Sequence, residues 1–232
     1  MLCCKNASQV RGIDANFTDE AQPAKADIAY DAILRLIGSY TVPEQPLRDQ
    51  VFMSALGIGR TPVREAFQRL AAEGYIQSKP QRGFFTRAFS EGTLLNLYEV
   101  GRANLIAGLY RMPPQLQERW TATDKVAPDE LALEAERIFA KIAEEASNCE
   151  ACKIVRKFSI RTHPLRMEIT ASELRPAFME SLARLLGAMS HAGTATSLAE
   201  AALLDHLNLE KVAIPKMVQK VNARQPTGFS SQ

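Results

Sequence analysis

The stretch Leu56-Gly57-Ile58-Gly59-Arg60-Thr61-Pro62-Val63-Arg64-Glu65-Ala66-Phe67-Gln68-Arg69-Leu70 decides how this chain is read. Thr61 stands at a helix N-cap, and Pro62 takes the first helical position, where its missing N–H costs nothing. On a 3.6-residue repeat Val63, Phe67 and Leu70 share one face, while Arg60, Thr61, Arg64 and Gln68 fall close to another and its N-terminal edge. Gly74 closes the helix. Beyond it, Tyr75-Ile76-Gln77 and Phe84-Phe85-Thr86 alternate as short strands around Ser78-Lys79-Pro80-Gln81-Arg82-Gly83, a hairpin whose tip is basic and carries a glycine.

The polar face offers two guanidinium groups, a hydroxyl and an amide at a helix N-terminus, the end that enters the major groove in a helix-turn-helix. Arginine can grip guanine O6 and N7 with two hydrogen bonds or clamp a phosphate, glutamine can pair with adenine, and free first-turn amides attract phosphate. The same helix alone also fits an amphipathic surface helix with solvated arginines. What precedes and follows it favours the DNA reading. Upstream, Ile28, Ile33, Leu34 and Ile37 mark a helix over 27–37 stopped by Gly38 and Ser39. Val42-Pro43-Glu44-Gln45-Pro46 makes a turn, and a short helix over Asp49–Leu56 ends at Gly57. Downstream comes the basic hairpin, where Lys79 and Arg82 add positive charge.

After Phe89 the pattern is helical throughout, over 91–110, 129–147, 150–160, 164–171, 174–190, 197–208 and 212–223. The predicted fold is mostly α. A winged helix-turn-helix of three helices and a two-stranded wing precedes an all-helical bundle of six or seven helices. The predicted divisions are a flexible leader over 1–24, the winged helix over 25–88, the bundle over 89–225 and a tail over 226–232.

At 232 residues with 46% hydrophobic content, the chain suits two ordinary globular domains. No apolar run approaches the roughly 20 residues a bilayer span needs, and no signal-like start is present, so a cytoplasmic protein without a membrane partner is expected. The net charge of +2 is unevenly spread. Residues 25–87 hold nine Lys/Arg and six Asp/Glu, which leaves +3 there and −1 elsewhere. A basic head and a faintly acidic body suit a protein that meets phosphate at one end.

The quoted stretch, continued through Glu73-Gly74-Tyr75-Ile76 and Pro80-Gln81-Arg82-Gly83-Phe84-Phe85, closely resembles the GntR family of winged-helix regulators over about residues 27–87. The resemblance implies that Arg60 and Arg64 contact DNA, that Thr61 touches phosphate and that Gly83 lets the wing backbone enter the minor groove. It also points to the start of the second helix, here Arg48 and Gln50. At Gln50 some relatives carry arginine, and Gly59 stands where they usually carry Ser or Thr. The DNA-binding set is therefore Arg48, Gln50, Arg60, Thr61, Arg64, Gln68, Lys79, Arg82 and Gly83.

Leu94-Leu95-Asn96-Leu97-Tyr98-Glu99-Val100 and Ala199-Glu200-Ala201-Ala202-Leu203-Leu204-Asp205-His206-Leu207 resemble helices of FCD, the ligand-binding domain of the FadR subgroup. Many members hold a divalent metal with one Asp and three His, the first two at D-x3-H spacing. Alignment puts Arg161 and Leu165 at that pair, Glu200 at the second His and Asn222 near the third. An arginine there repels a cation, so no metal and no cofactor is expected. His163, His191 and His206 do not fall at matching positions and are read as structural or surface residues. The family's arginine and glutamate on the first body helix align with Gly101 and Leu105, with Arg102 one position off as the candidate effector contact.

The expected function is a dimeric, sequence-specific regulator that binds double-stranded DNA at a pseudo-palindromic operator and answers to a small-molecule effector in its helical body. The alternative is a regulator with a degenerate effector pocket, controlled by a protein partner or by redox at Cys149 and Cys152, two thiols whose spacing also fits half a zinc site with Cys3 and Cys4. An enzyme is not expected. The aminotransferase-like domain fused to some GntR heads needs several hundred residues and a strand-rich core, and the body offers no defensible catalytic constellation.

Overall fold

The computed structural model describes residues 24–39, 43–112, 127–146, 148–189 and 195–223. Nearly all of the predicted leader, the predicted tail, His191, Cys3 and Cys4 lie outside the described residues. The elements in chain order are α1 (Lys25–Ser39), β1 (Pro46–Leu47), α2 (Asp49–Leu56), α3 (Arg60–Ala72), β2 (Ile76–Lys79), β3 (Gly83–Thr86), α4 (Glu91–Leu109), α5 (Pro128–Glu145), α6 (Cys149–Thr170), α7 (Arg175–Met189) and α8 (Ala195–Asn222). Among the described residues, no helix is long and apolar enough to cross a membrane. They divide into two compact units, residues 24–89 with 221–223 and residues 90–220.

In the first unit α1 packs against α3. Ala29, Ile33 and Leu34 on one side and Val63, Ala66, Phe67 and Leu70 on the other are buried, as their helical spacing requires. Arg69 Nη1 meets Asp27 Oδ1 at 2.5 Å and stacks over the Tyr30 ring, and the Tyr30 hydroxyl donates to Glu73. Gly57, at φ 63°, takes the left-handed conformation that ends α2 and donates its N–H to the Met53 carbonyl. Phe67 then serves two neighbours, with the Phe52 ring edge-on at 5.2 Å and Phe84 of the wing at 5.1 Å.

The wing departs from expectation by one strand. Its sheet has three strands in the order β1-β3-β2, all antiparallel, with Leu47 opposite Phe84 and Lys79 opposite Gly83. The added strand is only two residues long and begins with a proline, so its sequence reads as a turn; on an edge, the absent N–H of Pro46 is no loss. Gln45 fastens it, because its N–H donates to Thr86 Oγ1 at 2.8 Å and its carbonyl accepts from Thr86 N–H at 2.9 Å. A second correction concerns α3, whose N-cap is Gly59 rather than Thr61. Pro62 becomes the third helical residue, still inside the first turn, where amides lack helical partners.

In the second unit, Leu94, Tyr98, Gly101, Leu105 and Gly108 form the buried stripe of α4, at alternating steps of four and three. The two glycines bring helices close. A Cβ on Gly101 would stand 2.7 Å from the Phe158 ring, and one on Gly108 would stand 2.7 Å from the Ile142 carbonyl oxygen. The bundle shows five helices among the described residues rather than six or seven, because two prolines fail to break their helices. Pro164 lies inside α6 and Pro215 inside α8. Pro164 leaves the Ile160 carbonyl without its usual donor. Nearby carbonyls are met by side chains, with Thr162 Oγ1 donating to Phe158 at 2.7 Å and Arg166 Nη1 to Ser159 at 3.3 Å. Burial of most of that stretch, Phe158, Ser159 and residues 162–166, offsets the rest.

Candidate nucleic-acid interface

The start of α2, the first turn of α3 and the wing tip surround a cleft of about 410 Å³. Arg48, Asp49 and Gln50 line it from α2 and its N-cap, Arg60 and Arg64 from α3, and Arg82, Gly83 and Phe84 from the wing. Four guanidinium groups thus converge on one concave surface, against a single carboxylate among the residues that line it. Arg60 and Arg64 lie at i, i+4 and are about 60% exposed, so both forks are open to a ligand.

The wing tip is held by local chemistry. Arg82 N–H donates to the Lys79 carbonyl at 3.0 Å, Pro80 presets the turn, and Gln81 and Gly83 adopt positive φ of 58° and 89°. A Cβ on Gly83 would meet nothing within 4 Å, so what the position demands is backbone conformation rather than space. Lys79 is drawn back from the tip, with Nζ 2.8 Å from Glu44 Oε1 and 4.9 Å above the Phe85 ring. That hydrogen bond and the lysine charge lower the Glu44 carboxyl below its ordinary value.

Of the nine residues singled out in sequence, the cleft brings together Arg48, Gln50, Arg60, Arg64, Arg82 and Gly83. Thr61 and Gln68 are exposed on α3 outside it, Gln68 one turn beyond Arg64. Asp49 was missed, counted only as a charge. Its Oδ2 lies 3.7 Å from Arg60 Nε and 3.8 Å from Arg64 Nε.

Residues 25–86 match the family model of bacterial regulatory proteins of the gntR family. The head matches that family model and folds as a winged helix. The Nta operon transcriptional regulator of Aminobacter aminovorans is 36% identical over 58 residues, which are 25% of this chain and 28% of that protein. The match thus spans little more than a quarter of that relative. Two solved structures share the fold over most of the chain. A GntR structure from Rhodococcus sp. RHA1 has a TM-score of 0.60 at 20% identity, covering 82% of this chain and 95% of that one. E. coli McbR/YncC has 0.62 at 17%, covering 87% and 100%.

The helical unit holds a charge cluster that sequence reasoning did not locate. Arg166 is fully buried against the Phe139 and Phe158 rings, 5.0 and 5.1 Å from their centroids. Its Nε donates to Glu210 Oε1 at 2.8 Å, and Nη1 lies 3.3 Å from Glu136 Oε1. Tyr98 donates to the other Glu210 oxygen at 2.5 Å, and His206 Nε2 stands 3.3 Å from Oε1. Burial favours a neutral Glu210, but the Arg166 guanidinium, with His206 and Tyr98, holds its carboxyl at about 2. Burial and the Glu210 charge push the Tyr98 hydroxyl well above its ordinary value. Arg166 Nη2 and Ser159 Oγ are buried without a hydrogen-bond partner among the described residues.

His163 Nδ1 pairs with Glu136 at 2.8 Å and His206 Nδ1 with Ser181 Oγ at 2.7 Å, so both belong to the buried framework. Among the described residues no group of three or more His, Cys, Asp or Glu could hold a metal. The positions aligned with the metal ligands serve other ends. Leu165 is fully buried, Glu200 accepts from the Tyr110 hydroxyl at 2.6 Å, and Asn222 donates to the Phe89 carbonyl at 3.1 Å. Arg102 is exposed on α4, away from this core. Cys149 is the exposed first residue of α6, and Cys152 Sγ lies 3.3 Å from the Ala143 carbonyl oxygen.

Proposed function

We propose that this chain is a cytoplasmic, homodimeric transcriptional regulator that reads double-stranded DNA with its head and answers to a small molecule in its helical body. The observation that carries the first part is the cleft itself, where Arg48, Arg60, Arg64 and Arg82 converge with the wing glycine. Arg60 and Arg64 read bases in the major groove, Arg48 and Gln50 anchor phosphates at the start of α2, and the wing tip approaches the minor groove through Arg82 and Gly83. Thr61, Gln68 and Lys79 support from the rim. A two-fold dimer presents two such heads, so the operator is a pseudo-palindrome with half-sites about one helical turn apart or less.

The effector reading rests on the Arg166 cluster rather than on Arg102. A buried polar atom without a partner costs about 1–3 kcal/mol, and two such atoms, Arg166 Nη2 and Ser159 Oγ, suit a small polar ligand that would satisfy them. The body resembles FCD in its all-helical build, with a guanidinium in its core and no need of a metal.

Selection of duplexes from a randomised pool, followed by anisotropy titration of the enriched sequence, tests the DNA reading. Arg64→Ala is expected to lose roughly 1–3 kcal/mol of discrimination between enriched and scrambled duplex. A phosphate contact would instead weaken both alike and flatten the salt dependence. Failure to enrich any sequence, or unchanged binding by the variant, would overturn the assignment.

A further inference from the structure

We propose that Asp49 is a positioning residue for base recognition, holding Arg60 and Arg64 in the pose that reads DNA; the inference rests on the DNA-reading function proposed above. Arg60 and Arg64 project from one face of α3 one turn apart, and two like charges at that spacing repel. Left alone, two long and largely exposed side chains would diverge and sample many rotamers, each of which must be frozen on binding. Asp49 stands between them, its Oδ2 within 4 Å of both Nε atoms.

The edge of the guanidinium that faces Asp49 matters. An arginine has five N–H donors, and bidentate recognition of guanine O6 and N7 uses two of them. Pairing through Nε leaves the terminal Nη1 and Nη2 fork of each arginine free of Asp49. Asp49 is the first residue of α2, where the helix dipole favours a carboxylate and the backbone fixes its place. It is also the sole acidic residue that lines the cleft, so its charge opposes a phosphate settling between the two arginines. Guanine edges can reach the forks; a backbone phosphate gains less there. Both effects raise the ratio of specific to nonspecific binding rather than affinity as such.

The test compares full-length wild type, Asp49→Asn and Asp49→Glu on the duplex enriched by wild type and on a scrambled duplex, over a salt series. Asn keeps the shape and the helix start but not the charge. Asp49→Asn is expected to bind scrambled DNA a few-fold more tightly and to lose about 10-fold in the enriched-to-scrambled ratio, with a blurred preference at the arginine-read positions on reselection. Asp49→Glu is expected to recover most of the ratio. A ratio within about twofold of wild type for Asp49→Asn would overturn the proposal, as would an equal weakening on both duplexes, the mark of a merely structural role. If wild type enriches no sequence at all, the DNA reading fails first and this proposal with it. A clear wild-type motif left intact in Asp49→Asn sinks the Asp49 role alone.

Discussion

Replacing Arg166 by Met keeps an unbranched side chain against Phe139 and Phe158 but removes the charge that Glu210 faces. In wild type the Glu210 carboxyl is held at about 2 against a burial that would raise it. Without the guanidinium, burial prevails and the folded chain responds by taking up a proton. Protonation costs about 1.4 kcal/mol for each pH unit above the ordinary carboxyl value of 4.5, or about 3 kcal/mol near neutrality. That sits at the low end of the roughly 3–5 kcal/mol expected for breaking a buried pair, and corresponds to a fall in Tm on the order of 10 °C. The sign of the pH dependence follows from the two carboxyl values. In wild type Glu210 is depressed, so its contribution is present above 4.5 and lost as pH falls toward 2. In Arg166→Met it is raised, so full stability is present below 4.5 and lost as pH rises. The gap between the two proteins must therefore open between about pH 5 and about pH 7, which urea unfolding followed by circular dichroism measures directly. A gap that is constant over that interval, or smaller than about 1 kcal/mol at neutrality, would refute the reasoning. A double Arg166→Met, Glu210→Met variant is expected to regain most of the loss. If it does not, packing rather than charge is at stake.

Gly101→Ala places a methyl 2.7 Å from the Phe158 ring, so it is expected to cost about 1–3 kcal/mol in chemical unfolding; a neutral result would mean that the ring moves aside freely. A thermal-shift panel of small carboxylates, acyl-CoAs and sugars on metal-stripped protein is expected to yield at least one binder that raises Tm by mass action and is lost in Ser159→Ala. If nothing binds with or without added metal, regulation by a protein partner or by oxidation of Cys149 and Cys152 becomes the better reading.

The head was legible because its signals are local. Gly57 and Gly74 do stop helices, both at positive φ, and the apolar spacing of Val63, Phe67 and Leu70 named the buried face of α3. The third strand was not legible. Two residues carry no alternation, and the two backbone-to-Thr86 bonds that hold Gln45 beside it reach 41 positions away. In the body, Pro164 and Pro215 gave the standard breaker signal; burial on α6 overrode it at Pro164, while Pro215 lies exposed inside α8. The Arg166 cluster was hidden for a related reason. Its members Tyr98, Glu136, Ser159, Arg166, His206 and Glu210 come from four helices, and only His206 and Glu210 sit at a recognisable i, i+4 spacing. A charged residue inside a helix looks the same in sequence whether it faces water or a buried carboxylate.

That ambiguity falls hardest on arginine, which this chain uses in two opposite ways. In the head cleft, guanidinium groups are exposed, loosely paired through Nε and open at the terminal fork. Their value lies in the partner they have yet to meet, so losing one should change recognition and leave folding nearly untouched. In the body, Arg166 is fully enclosed, packed against two aromatic rings and bound to two carboxylates, so losing it should change folding first. An effector that engages the free Nη2 must compete with, or extend, that same set of bonds. Its binding energy would then appear as a change in the stability of the helices that carry Glu136, Arg166 and Glu210, which is the differential interaction any coupling to DNA affinity requires.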